Sequence, residues 1–223
     1  MVPKVKICCI GSMEEAELAI SWGASAIGLV SEMPSGPGVI PEDRIAEIAE
    51  SVPHGIDTFL LTSLRRVEEI VRQHRRCRTT SIQLVDTLVQ GSHLELNEAL
   101  PEAKIVQVIH VTGKESLQQA VETAPLVDAL LLDSGKPGNK IKELGGTGRT
   151  HDWRISRTIV RRVEQPVYLA GGLDPDNISD AVRAVQPWGV DVCSGLRTDG
   201  KLDRGKLDRF FTNLRRISQY SEY

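Results

Sequence analysis

Short runs of apolar and β-branched residues alternate with longer amphipathic stretches from one end of the chain to the other. The runs predict strands over 5–9, 26–30, 58–61, 81–84, 105–109, 129–132, 167–170 and 190–193. Their length and the turn-forming residues around them suit buried strands better than helices. The intervening stretches carry readable helix starts. Ser12-Met13-Glu14-Glu15 is a capping-box pattern, Pro41-Glu42-Asp43 opens the second helix, Ser63 the third, Asp152 the sixth and Asp174-Pro175 the seventh. A fourth helix falls between Gly91 and Leu100. Strict alternation of strand and helix implies a parallel sheet. Eight such units with no break in composition predict an α/β fold that closes into a (β/α)8 TIM barrel, one domain over residues 1–223.

Length and composition are consistent with this. The chain has 223 residues, of which 40% are hydrophobic, enough for a sizeable core. The formal net charge is -3, and the basic pairs Arg65-Arg66, Arg75-Arg76 and Arg161-Arg162 each lie in a helical pattern. Nucleic acid is not an expected partner. No charged and apolar leader opens the sequence, and no apolar run reaches the roughly 20 residues of a membrane helix, so a cytoplasmic protein is expected. Cys8, Cys9, Cys77 and Cys193 lack zinc-site spacing and are expected to be reduced.

In a barrel of this kind, chemistry collects where strands end, because only there do side chains of several strands converge on one ligand. Cys8, Asp133, Gly171-Gly172 and Ser194-Gly195 all fall at such ends. The period of two along a strand turns Lys6, Cys8, Asp133 and Asp191 inward and Cys9 toward the helices. A buried Lys6 needs a partner, and neighbouring first and last strands offer Asp191. A cation on the strand face of Cys8 favours its thiolate, the form a general base requires.

Lys6-Ile7-Cys8, 22–28, Leu131-Leu132-Asp133-Ser134, 145–153, 169–177 and 190–195, in this order and at barrel spacing, resemble the phosphoribosylanthranilate isomerases of tryptophan biosynthesis. The resemblance implies an Amadori rearrangement of N-(5-phosphoribosyl)anthranilate, without metal or cofactor, on a small phosphorylated substrate. It implies Asp133 as general acid on the furanose oxygen and Cys8 as the base that removes the C2 proton. Phosphate would lie against the backbone of Gly146, Thr147 and Gly148, of Gly171-Gly172, and of Ser194-Gly195, where small residues permit close approach.

The chain departs from the family pattern at the aromatic end of the pocket. Gly-Ile-Thr, usual after the cysteine, is here Cys9-Ile10-Gly11. The arginine that follows the second strand and helps hold the anthranilate carboxylate is Gly38. The usual Gln-Leu-His-Gly of the fourth strand is Gln83-Leu84-Val85-Asp86, and the last strand reads Cys193-Ser194-Gly195-Leu196-Arg197. A displaced carboxylate-binding cation is then expected at Arg197 or Arg149, with Lys6 and Asp191 as further substrate contacts.

Plainer roles are also open. Cys9, Cys77 and Cys193 fit small core residues, Asp133 fits a loop cap, and 145–148 fits a flexible loop. His54, His74, His93 and His110 fit surface or packing positions, and His151 fits either substrate contact or a helix start. Two other functions stand beside the isomerase: a related barrel isomerase or lyase acting on another phosphorylated sugar adduct, and a noncatalytic phosphometabolite-binding barrel. A binder has no need of both Cys8 and Asp133. A monomer and a homodimer are equally compatible with the sequence.

Overall fold

The computed structural model describes residues 2–135 and 151–219. Eight parallel strands close into a barrel in chain order: β1 (Lys4–Ile7), β2 (Ala26–Val30), β3 (Asp57–Thr62), β4 (Ser81–Leu84), β5 (Lys104–His110), β6 (Ala129–Asp133), β7 (Val167–Leu169) and β8 (Gly189–Val192). The helices that follow them are α1 (Met13–Trp22), α2 (Glu42–Ser51), α3 (Val67–Cys77), α4 (His93–Ala99), α5 (Glu115–Thr123), α6 (Trp153–Arg162), α7 (Ile178–Val185) and α8 (Arg204–Gln219). The predicted TIM barrel is the observed fold. Closure is made by β1 on β8, with Lys6 opposite Asp191.

The period of two divides the apolar residues into two cores. Val5, Ile7, Ile27, Leu29, Leu60 and Ile82 are among those that point outward and pack beneath the helices. Ala26, Phe59, Leu61, Val106, Leu131 and Tyr168 are among those that fill the barrel. Removing each large outer residue from water contributes about 1.5 to 3 kcal/mol. Two layers sealed in this way leave the C-terminal mouth of the barrel as the place where polar groups can gather.

Local sequence sets the helix starts. The Ser12 side chain accepts from the Glu15 amide, and Glu15 in turn accepts from the Gly11 amide, which fixes the chain just after the β1 loop. The Asp152 carboxylate accepts from the Arg154 amide at the start of α6. Ser63 does not cap α3. Its hydroxyl donates to the Glu32 carbonyl, 64–66 stay extended with Arg66 bridged to Gln90, and the helix starts at Val67. Asp174 accepts from the amides of Asp176 and Asn177 in a turn, and α7 begins at Ile178. The pattern also gave no sign of a small antiparallel pair after β8, β9 (Arg197–Thr198) and β10 (Lys201–Leu202).

Candidate active site

At the C-terminal mouth, Cys8, Gln83, Asp133, Gly172, Asp191 and Ser194 are among the residues lining an open cleft of about 670 Å³. Cys8 follows β1, and its amide donates to the Val192 carbonyl of β8 at 2.8 Å. A β-carbon at Gly28, on the neighbouring strand, would lie 2.8 Å from the Cys8 sulfur and 3.0 Å from Lys6 Nζ. Thiol and ammonium therefore meet in a space that only glycine leaves open.

Lys6 has no exposed side-chain surface, and its Nζ lies 2.9 Å from Asp191 Oδ1, off the line of a hydrogen bond. Burial would lower the pKa of this ammonium, yet Asp191 beside it, with Cys8 adding, holds it above the ordinary lysine range. The ammonium also lies 5.2 Å from the centre of the Phe59 ring. Lys6 does not line the cleft. It sits beneath the floor, and the expected direct contact with substrate is replaced by support of Asp191.

Asp133 ends β6 beside His110, its register partner on β5. Burial raises the pKa of its carboxyl, and Asp191 adds to this. The Ser134 amide, donating at 2.7 Å, and the charges of His110 and Lys6 oppose the rise, but the net direction is upward. A carboxyl whose pKa is raised by burial keeps its proton to higher pH, as a proton donor must. The His110 Nε2 donates to the Val85 carbonyl at 3.0 Å, which fixes the ring on the strand next to Asp133.

Close backbone contacts bring three loops together around the other side of the cleft. A β-carbon at Gly171, where φ is +84°, would meet the Ser134 hydroxyl oxygen at 2.9 Å. One at Gly195 would lie 2.0 Å from the Leu173 carbonyl, so the loop after β8 can rest on the loop after β7 only because residue 195 is glycine. Gly172 is left-handed at φ 64°, and its carbonyl accepts from Asn177 Nδ2 at 2.8 Å. Gly171, Gly172 and Gly195 are the strand-end glycines predicted for the phosphate, and Ser194, predicted with them, lines the cleft. Gly146, Thr147, Gly148 and Arg149 lie outside the described residues.

The match to a family is extensive. The model of N-(5'-phosphoribosyl)anthranilate (PRA) isomerase matches residues 5–213. The chain belongs to the PRA isomerase family. It is similar to N-(5'-phosphoribosyl)anthranilate isomerase 2 of Methanosarcina mazei, with 36% identity over 209 residues, 93% of this chain and 92% of that protein. Among solved structures, the phosphoribosyl anthranilate isomerase of Thermococcus kodakaraensis is 28% identical with a TM-score of 0.77, over 96% of this chain and 99% of that one. A phosphoribosyl anthranilate isomerase crystallised with reduced 1-(o-carboxyphenylamino)-1-deoxyribulose 5-phosphate shares the fold at a TM-score of 0.75 and 23% identity, over 96% of this chain and 98% of that one.

Two expectations for this PRA isomerase need correction. Arg197 does not reach across the mouth. Its guanidinium is held by Glu15 at 2.8 Å and donates to the carbonyls of Cys8, Cys9 and Gly200, and its side chain is only 9% exposed. The acidic partner is the second glutamate of the capping box, a pairing that no local spacing reveals. Cys9, in turn, does not face the helices. The strand ends at Ile7, Cys9 takes a left-handed φ of 63°, and its side chain swings into the cleft against Cys8 and Cys193. None of the described residues lining the cleft is Lys or Arg. Among the described residues, no group of three or more His, Cys, Asp or Glu side chains is placed to hold a metal ion.

His151 is half-buried, its Nε2 is donor or acceptor to the Ser156 hydroxyl at 2.6 Å, and desolvation lowers its pKa to about 4. A neutral imidazole tied to α6 serves the helix start.

Proposed function

We propose that Cys8 and Asp133 divide the base and acid work of the family's reaction, the Amadori rearrangement of N-(5'-phosphoribosyl)anthranilate to 1-(2-carboxyphenylamino)-1-deoxyribulose 5-phosphate. The observation that carries this reading is that a buried carboxyl with a raised pKa and a thiol beside an ammonium line the same cleft. Asp133 gives its proton to the ring oxygen as the bond from C1 to that oxygen breaks, leaving a protonated Schiff base. Cys8 then takes the proton from C2, and the electrons of that bond flow toward the cationic nitrogen. The resulting enol tautomerises to the ketone. Lys6 positions Asp191 and neutralises it, so that a second carboxylate can line the cleft without adding a full charge beside the acid.

On the same reading, the phosphate lies against Gly171-Gly172 and Ser194-Gly195 together with Gly146, Thr147 and Gly148. The anthranilate carboxylate falls to Arg149, the remaining arginine of the two expected from the sequence. The reading takes the chain as one domain, cytoplasmic and acting as a monomer or homodimer. It is supported by the lack, among the described residues, of any helix long and apolar enough to cross a membrane.

Turnover is followed by the loss of anthranilate-type fluorescence. Cys8→Ala and Asp133→Asn are each expected to lower it at least ~100-fold, the scale for losing a positioned acid or base. A variant that keeps the parent rate removes its residue from the mechanism.

A further inference from the structure

We infer that Cys9 and Cys193 form an oxidisable dithiol at the mouth of the cleft, a modification site whose reagent is a hydroperoxide and whose product is a Cys9 to Cys193 disulfide. The geometry comes from the closure of the barrel. β1 and β8 end side by side, with the Cys8 amide on the Val192 carbonyl, so the next residues of both strands emerge together. The left-handed turn at Cys9 then brings its side chain into the cleft that Cys8 and Cys193 also line. All four cysteines are free, and three of them line this one cleft.

The two thiols are unequal in a way that suits stepwise oxidation. Cys193 is partly exposed, whereas Cys9 is buried. The neighbouring Cys9, with the Arg197 guanidinium adding, lowers the pKa of Cys193 against the opposing effect of burial. The neighbouring Cys193 and Cys8, together with burial, raise the pKa of Cys9. An accessible, acidified thiol beside a second thiol is the arrangement of an attacking and a resolving cysteine.

In the first step the Cys193 thiolate attacks the distal oxygen of the hydroperoxide. The O–O bond breaks, the alkoxide leaves and takes up a proton, and Cys193 becomes a sulfenic acid. In the second, the Cys9 sulfur attacks the Cys193 sulfur. The S–O bond breaks, and hydroxide leaves with the Cys9 proton as water. Two thiols are oxidised by two electrons, and the hydroperoxide is reduced to an alcohol, or to water when the reagent is hydrogen peroxide. The bridge ties the residue next to Cys8 to the residue next to Ser194. An effect on turnover therefore rests on the isomerase reading, but formation of the bridge does not.

Purified full chain is titrated with hydrogen peroxide and digested under nonreducing conditions. The expected result is the loss of two titratable thiols and a linked peptide pair containing Cys9 and Cys193, both reversed by dithiothreitol. Cys193→Ser and Cys9→Gly should each abolish the linked pair. Glycine suits the left-handed backbone at position 9, so at least that variant retains its fold. Turnover of each protein is compared with its own untreated rate, and the parent should lose activity that the reductant restores. A bridge between Cys8 and Cys9, or peroxide treatment that yields no bridge, overturns the assignment. A Cys9 to Cys193 bridge in a chain without isomerase activity would uphold it and strike only at the proposed reaction.

Discussion

The Cβ of Cys9 stands where a side chain on residue 38 would begin: a β-carbon at Gly38 would lie 2.5 Å from it and 3.0 Å from the Cys9 Cα. Two departures from the family pattern, cysteine directly after Cys8 and glycine after the second strand, are thus halves of one exchange. Gly38→Arg alone should destabilise the protein by about 1 to 3 kcal/mol through overpacking, and its positive φ of 80° adds strain. Combined with Cys9→Gly, the loss should be smaller than the sum of the two single changes. A double-mutant cycle in urea reads this coupling, and strict additivity would mean that the two positions do not share space.

Asp133 carries a cost to stability that follows from its role. Its pKa is raised in the folded protein, so between the unfolded and folded values the native state binds more protons than the unfolded one. Stability from this group is greatest below the unfolded value and falls as pH rises through the folded value. Asp133→Asn should therefore melt at a higher temperature than the parent at neutral pH, and the difference should close toward pH 4 and below, near the ordinary range of aspartate. A melting temperature for the variant that is lower at neutral pH would contradict a buried, neutral acid.

Arg197 braces the loop that carries Cys8 and Cys9. Arg197→Met strips Glu15 and two loop carbonyls of their donor. The expected loss is about 1.5 to 3 kcal/mol, the range for charged hydrogen bonds, since Glu15 retains some access to water. Denaturant midpoints check the stability, and steady-state kinetics should show a fall in kcat as the base loses its position. A variant with parental stability and only a raised KM would return Arg197 to the role of substrate-binding cation.

Gly172 tests the anion site. Aspartate tolerates a left-handed backbone better than most residues, so Gly172→Asp should fold yet repel the phosphate of the substrate. Inorganic phosphate should compete with substrate in the parent and not in this variant. Gly172→Asn, similar in shape but uncharged, should recover much of the lost affinity. Equal losses in both variants would point to crowding rather than charge.

The sequence carried the barrel because two periods, 2 in the strands and a helical one between them, repeat through the chain with start signals such as Ser12 and Asp152. It also carried the inward set of Lys6, Cys8, Asp133 and Asp191, since the rule of alternation holds while the backbone is extended. The rule still serves for Cys8, one residue past the strand, but fails at Cys9, where the backbone turns left-handed. Arg197 was misread for a different reason: its partner Glu15 is 182 residues away in sequence, and nothing near either one announces the pair. The nearness of His110 to the acid likewise depends on strand register, which a local pattern does not contain.

The closure of β1 on β8 has a consequence for how the protein is made. Lys6 leaves the ribosome long before Asp191, so until β8 is made the ammonium lacks the carboxylate that neutralises it and must stay in water. β1 can settle into the barrel only when β8 arrives, and contacts between such distant parts of a chain form slowly. On the proposed mechanism, the Cys8 thiol therefore has no activity in any nascent chain that stops short of Asp191. Competence is acquired in a single late event, when the two ends of the sheet meet.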